Sequence, residues 1–255
     1  MELSNDEVHY RSKDDVDYLT FAAFDNYPEV RSAFAIRGHA KMDYNWSEDN
    51  MNYRKLAAAL GIDFDKIKRA PNQVHGDECA RINSVDDAPD YVDALMTNVP
   101  GVSLTMRVAD CIAVQIYDPV QRAIANVHSG WRGTLLRIAP KTVLKMMMEY
   151  ESRPEDLVVV LCPSIGADHF EVKEDVRAQF EAEFGTEHIV KSDDEHFLID
   201  APACVVDSLV GIGVKRENIH LSGLCTVCHA DLIHSYRANA EDEKQCRNAS
   251  IICIM

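Results

Sequence analysis

Positive charge is scarce in this sequence: 26 Lys and Arg stand against 42 Asp and Glu, leaving a net charge of −16. Nucleic acids and anionic membranes are bound mainly through clustered Lys and Arg, so a general affinity for either is excluded, though a local basic pocket for a small anion is not. Glycine and proline are also few, 11 and 9, and fall without periodicity, which excludes collagen-like and low-complexity architectures. No apolar run is long enough to span a bilayer, and the acidic opening MELSNDEVHYRSKDD lacks the basic patch and apolar stretch of a signal peptide. The expected location is therefore the cytoplasm, where the eight cysteines would be mostly reduced rather than paired in a framework.

What is present suits a folded protein. Apolar residues make up 47% of the 255 positions, enough to bury a real core. No solenoid-length repeat and no Gly/Ser-rich or Pro-rich linker divides the chain, so one domain over residues 1–255 is expected, behind an irregular opening. Asp49 or Asn50 caps a predicted helix through MNYRKLAAAL that stops at Gly61. SLTMRVA alternates as a strand; IAVQIY ends at Asp118-Pro119 and forms a predicted hairpin with AIANVH. After SGWRG, apolar residues in TLLRIAPKTVLKMMMEY recur at helical spacing, with Pro140 kinking the helix or confined to a first turn. LVVVLCPSIG reads as a buried strand, EDVRAQFEAEFG as a helix, FLIDAPACVVDSLVGIG as strand then helix opened by Pro202, and IHLSG and SIICIM as strands. Without regular βαβ units, the fold class is α+β, with layered mixed sheets flanked by helices.

Three soft or borderline metal ligands stand at predicted strand ends or turns: His75 in NQVHG, Cys111 in VADC and His128 in NVHSGWRG. They are too far apart for a helix-local zinc motif, so tertiary folding must assemble any site they form. Antiparallel pairing in the hairpin would bring Cys111 beside His128, while His75 has to arrive from elsewhere. Two imidazoles and a thiolate fill three corners of a tetrahedral zinc and leave the fourth to water or substrate, the pattern of a catalytic centre. A His or Cys in such a place also serves as an ordinary packed or hydrogen-bonded residue, and both readings stand. Asp110, next to Cys111, has the position of a residue that orients a ligand. SGWRG opening a helix presents free N–H groups, to which Arg132 adds a fork of donors suited to an oxyanion; a surface ion pair is the plainer role for Arg132.

NQVHG, DALMTNVPGVSLTMRVADCIAVQIYDP, AIANVHSGWRG, CPSIGADHFEV and CTVC followed by SYR together resemble, in order, the YfiH/YlmD family, long labelled polyphenol oxidase or laccase-domain proteins. The resemblance covers roughly residues 30 to 254, and residues 1–25 would be a variable N-terminal extension. It implies a single catalytic α+β domain similar to a Cys/His toxin deamidase domain. The implied activity is that of a zinc-dependent purine nucleoside phosphorylase acting on adenosine, inosine, guanosine and methylthioadenosine, with adenosine deamination beside it. The family's metal ligands fall on His75, Cys111 and His128. The chain departs from the family where Asp168 and His169 replace two cysteines and Phe170 a tyrosine, in YNWSEDN around Asn45, and in CRNAS near the end.

On this reading Arg37 and Arg132 are candidate phosphate ligands, Asn45 and Asp168 candidate substrate contacts, and Asp110 and Asp168 candidate acid/base groups. Purine nucleoside and phosphate are the expected partners, with no nucleic acid, no membrane and no partner protein identified. Three other classes stay open. Copper could occupy the same ligands as a polyphenol oxidase if a weak axial Met joined them. Cys111 and His128 could form a metal-free hydrolase. The chain could also be an inert scaffold. Cys225, Cys228 and His229 spell the CxxCH of a haem attachment sequence, but the chain lacks an export signal, and no second CxxC completes a four-thiolate zinc site. Those thiols, like Cys162, Cys204, Cys246, Cys253 and Met146–Met148, are expected to pack.

Overall fold

The computed structural model describes residues 3–47 and 49–255; the first two residues of the expected extension, and Glu48 of YNWSEDN, lie outside them. Side chains alternate between the faces of a strand, so a chain rich in fully buried strands must stack its sheets. One sheet contains β1 (Val8–Lys13), β2 (Val16–Phe21), β3 (Val30–Ala35), β4 (Ile67–Arg69), β7 (Ser103–Val108) and β15 (Asn248–Ile254), in the order β1-β2-β3-β15-β7-β4. A second contains β5 (Cys79–Arg81), β6 (Ala94–Thr97), β8 (Ile112–Asp118), β9 (Ala123–Ser129), β10 (Val158–Leu161) and β14 (Ile219–Leu221), in the order β14-β10-β8-β9-β6-β5. A small third sheet joins β11 (Glu171–Lys173), β12 (Ile189–Lys191) and β13 (His196–Ile199), with β13 central. The helices are α1 (Met51–Leu60), α2 (Trp131–Leu135), α3 (Ile138–Tyr150), α4 (Glu174–Phe184) and α5 (Ala201–Gly211).

The two large sheets face one another. Leu19, Phe34, Leu104 and Ile252 of the first share one core with Leu95, Ala113, Tyr117 and Val160 of the second. The outer face of the second sheet, with Val114, Ile116 and Val127, packs on Ile138, Val143 and Met146 of α3 and Val205 and Leu209 of α5. The outer face of the first packs on Tyr53, Leu56 and Ala57 of α1. The α+β expectation holds, with parallel pairs (β4–β7, β5–β6, β10–β14) among antiparallel ones. Among the described residues no helix is long and apolar enough to cross a membrane.

Buried Gln115 bridges the sheets. Its Oε1 accepts from Ser32 Oγ at 2.5 Å and its Nε2 donates to Ser250 Oγ at 2.9 Å, while Asn126 Nδ2 donates to the carbonyls of Leu104 and Ser250 at 3.0 Å. These polar pairs lock one relative position of the sheets, since a slip would strand each partner in an apolar layer.

The expected irregular opening is instead three strands. Asp14 and Asp15 both have positive φ, 53° and 64°, which matches the right-handed twist of a two-residue hairpin turn between β1 and β2. The Asp-Asp pair is a weaker turn signal than Asn-Gly, and β1 is an exposed edge strand with little apolar alternation. The long segment after SGWRG is two helices: Arg137, with φ 58°, interrupts the helical backbone, and Pro140 sits in the first turn of α3, where a missing N–H costs nothing.

Candidate metal centre and its cavity

The β8–β9 hairpin sets the first two residues. Ala113 pairs with His128, so Cys111, two residues earlier, is diagonal to His128 on the same face. His75 comes from the loop between β4 and β5 and has a left-handed backbone, φ 58°. The ligand atoms of His75, Cys111 and His128 lie within 4.8 Å of one another, and the two rings meet edge to face with centroids 4.7 Å apart. His128 is buried, Cys111 half-buried and His75 exposed, so the cluster is closed on the protein side and open toward a cavity. Gly130 makes room: a Cβ there would stand 2.7 Å from His75 Cδ2 and 3.2 Å from Cys111 Sγ.

Asp93, fully buried just before β6, holds the cluster together, and nothing in its sequence surroundings beyond a charge at the mouth of an apolar run marked it. Its Oδ1 accepts from His128 Nδ1 at 2.7 Å and from the His75 N–H at 3.0 Å; its Oδ2 accepts from the N–H groups of Val74 and Gly76 at 3.1 and 2.8 Å. With Nδ1 so engaged, Nε2 is the His128 nitrogen left to face a ligand, and it binds one on giving up its proton. Burial alone would raise the Cys111 thiol, but the charge and hydrogen bond of His128, with those of His75, bring it down to about 6. Burial disfavours the charged His128 ring, and Cys111 together with Asp93 outweighs it, pushing the ring up. The metal-free pair is therefore thiolate and imidazolium, with sulfur already in its ligating form. A nucleophilic thiolate, two imidazole nitrogens and a carboxylate behind one of them fit a borderline dication.

The cavity measures about 760 Å³ and sits where β7, β8 and β9 meet their loops. Asn45, Asp110 and Arg132 line it, as do Trp131, Phe170, Tyr236 and three arginines absent from the sequence expectation, Arg107, Arg237 and Arg247. Arg107, Arg237 and Arg247 donate to the carbonyls of Pro71 (2.8 Å), His169 (2.9 Å) and Lys244 (2.7 Å), and Arg132 lies 4.0 Å over the Trp131 ring. Among the described residues none of the four has a carboxylate partner, so four guanidinium charges remain available around one cavity of an acidic protein.

Two expected substrate residues lie elsewhere. Arg37 is buried and forks onto the Glu243 carboxylate at 2.6 and 3.0 Å, which neutralises it away from the cavity. Asp168 is exposed, 2.9 Å from His169 Nδ1, in a separate cleft. Asp110 reaches the cavity, but its carboxylate accepts from Thr226 Oγ1 at 2.5 Å and the Arg237 N–H at 2.7 Å, so it ties two loops together. The helix opened by SGWRG, α2, is only 5 residues long, too short for its dipole to make an anion site.

A family model described as multi-copper polyphenol oxidoreductase laccase matches residues 45–255. The chain belongs to this laccase-domain family. Among its relatives, a purine nucleoside phosphorylase of Deinococcus radiodurans is 37% identical over 74% of this chain and 71% of that protein. Purine nucleoside phosphorylase LACC1 of Mus musculus is 34% identical over 72% of this chain, and the match spans only 43% of the mouse protein. Adenosine deaminase RL5, from an unknown prokaryotic organism, is 33% identical over 71% of this chain and 73% of that protein. The laccase-domain chain also superimposes on Bacillus licheniformis YfiH and Geobacillus stearothermophilus YlmD, each with a TM-score of 0.85 over 96% of its length and 99% and 98% of theirs, at 24% and 22% identity. The resemblance noted in the sequence is thus borne out, and with it the fold.

Proposed function

We propose that this protein is a zinc-dependent purine nucleoside phosphorylase of the cytoplasm, acting on adenosine, inosine, guanosine and methylthioadenosine and also deaminating adenosine. Residues 1–255 would form one catalytic domain, with 1–25 as a variable extension. One observation carries the proposal: the His75, Cys111 and His128 donors open onto a cavity that gathers four uncompensated arginines beside aromatic faces. Relatives named as phosphorylases and as an adenosine deaminase support the same reading.

His75, Cys111 and His128 would hold the metal, which when bound supplies Lewis acidity to the substrate group facing it. Phosphorolysis breaks the bond between purine N9 and ribose C1′ and forms a bond from C1′ to a phosphate oxygen. Arg107, Arg132, Arg237 and Arg247 bind and orient that phosphate and neutralise its charge on approach. Trp131, Phe170 and Tyr236 offer apolar faces to a purine and exclude water from one side of it. Asp93 keeps the proton on His128 Nδ1 and so holds the ring's orientation.

Zinc is favoured over copper by the neighbours of the three ligands. Among the described residues that line the cavity there is no methionine to serve as an axial ligand, and only two histidines. The metal-free hydrolase keeps one observation in its favour, a Cys111–His128–Asp93 chain with a lowered thiol. Activity that survives EDTA but dies with a thiol alkylator would select it.

The deciding assay offers adenosine, inosine, guanosine and methylthioadenosine, with and without phosphate, to protein of measured zinc content and follows free base and pentose phosphate for phosphorolysis, and inosine and ammonia from adenosine for deamination. Phosphate-dependent base release that disappears with metal in Cys111→Ala, His75→Ala or His128→Ala is expected. No product above the Cys111→Ala control would leave the inert-scaffold reading standing.

A further inference from the structure

The CxxC thiols, expected to pack, are gathered with a residue far away in the chain. The ligand atoms of His169, Cys225 and Cys228 lie within 4.8 Å of one another. His169 Nδ1 stands 3.6 Å from Cys225 Sγ and 3.8 Å from Cys228 Sγ. Tetrahedral zinc, with Zn–S about 2.3 Å and Zn–N about 2.0–2.1 Å, places a sulfur and a nitrogen ligand about 3.6 Å apart. One ring nitrogen at that spacing from both sulfurs is the arrangement a shared ion requires. Asp168 Oδ1 lies 2.9 Å from the same Nδ1 but outside the three-donor cluster, and its exposed side chain can turn to supply a fourth donor.

We propose that Cys225, Cys228, His169 and Asp168 form a second metal site, structural in kind, that takes zinc and staples the 164–170 loop to the 222–228 loop. The backbone holds these loops together before any ion arrives. Ser164 and Cys225 form a parallel bridge, with the Ser164 N–H donating to the Leu224 carbonyl at 3.3 Å and the Thr226 N–H to the Ser164 carbonyl at 3.0 Å. Gly166 donates its N–H to Cys225 Sγ at 3.2 Å, the kind of contact that stabilises thiolate charge around a metal. A Cβ at Gly166 would stand 2.8 Å from Asp168 Oδ1 and 3.3 Å from Cys225 Sγ, so the glycine permits both donors to approach. Both cysteines are free thiols. The sequence holds no second CxxC, and none is needed: the other two donors come from the Asp168-His169 pair.

The site shares no ligand with His75, Cys111 and His128, yet it abuts the cavity wall. Ile165 and Phe170, on either side of the Asp168-His169 pair, line the cavity, and Arg237 is anchored on the His169 carbonyl. With Asp168 turned in, four protein donors would close the coordination, which suits a staple and leaves no position for substrate.

The test uses the full chain, purified under reductant, as wild type, Cys111→Ser, and Cys225→Ser with Cys228→Ser. Zinc is counted by elemental analysis, and cobalt(II) replaces it as a spectroscopic probe. Cys111→Ser, which has no thiol left in the cavity cluster, is expected to retain one zinc per chain and a near-ultraviolet thiolate-to-cobalt band. The double variant is expected to bind one zinc fewer than wild type. Should the double variant not fold, thiol titration of Cys111→Ser decides: chelation must expose two further reactive thiols. Absence of the cobalt–thiolate band in Cys111→Ser, wild-type zinc content in a folded double variant, a thiol count unmoved by chelation, or a Cys225–Cys228 disulfide persisting under reductant would each overturn the site.

Discussion

Asp93 Oδ1 lies 2.7 Å from His128 Nδ1, and the same carboxylate accepts the backbone N–H groups of Val74, His75 and Gly76. One buried charge thus orients one imidazole and places the loop that carries the other. Asp93→Asn keeps the shape but puts a neutral amide before four donors. Metal affinity is expected to fall about 10–100-fold, the usual cost of losing such a partner, with the far-ultraviolet circular dichroism unchanged. Chelator competition measures it, and an unchanged affinity would assign Asp93 to loop stability alone.

Gly130→Ala separates sterics from backbone strain. Gly130 has φ −71° and ψ 175°, which alanine adopts freely, so the substitution acts through its Cβ, 2.7 Å from His75 Cδ2. Bound metal and turnover are expected to drop together while the melting temperature holds. Full metal content in the purified variant would show that the ring can step aside.

Arg132→Ala should raise the KM for phosphate about tenfold or more, in line with about 1.5–3 kcal/mol for hydrogen bonds to charged groups, and leave the KM for nucleoside nearly unchanged. Equal effects on both would give Arg132 a structural role. Arg37→Ala, by contrast, should act on stability, because its fork binds Glu243 outside the cavity.

In chelated protein, alkylation of Cys111 by iodoacetamide should rise through a midpoint near pH 6, far below the ordinary thiol, and move upward in His128→Ala. The sign for stability follows from the lowered acid. With the thiol at about 6 when folded against 9.0 when free, its stabilisation is complete above pH 9 and is lost as the pH falls through 6. A midpoint at the ordinary thiol value would show that the imidazole charges are not felt at the sulfur.

Gln115→Ala removes the amide between the sheets and leaves Ser32 and Ser250 with fewer partners in a buried layer. About 3 kcal/mol of destabilisation is expected from groups left unsatisfied. For a chain of this size that lowers the melting temperature by roughly 6–12 °C. Calorimetry checks it, and a shift within error would mean that water replaces the amide.

The elements with strong periodicity or clear punctuation were legible in the sequence: α1 with Gly61 behind it, the β8–β9 hairpin, and α5 opened by Pro202. Strands β1, β4, β5 and β12 were not, because they are short or exposed and owe their existence to pairing rather than to pattern. Of the candidate site, the hairpin explains how Cys111 and His128 come together, whereas His75 was named by residue type and motif with no local element to bring it there. Arg37 was expected at phosphate and Asp168 at substrate under the family resemblance, and the structure gives each a different partner.

Composition, turn residues and local spacing determined the class of fold, the acidic surface and which side chains are fit to hold a metal, since those properties belong to short stretches of chain. Only the tertiary structure decided which of them meet. β15 enters between β3 and β7, and Asn248 at its start pairs with Val108 at the end of β7, bringing Arg247 and Arg107 to the same end of the sheet. The bridge from Ser164 to Cys225 likewise carries His169 to the thiols. Strand order and register settle such meetings, and both depend on how buried faces fit across long separations in sequence.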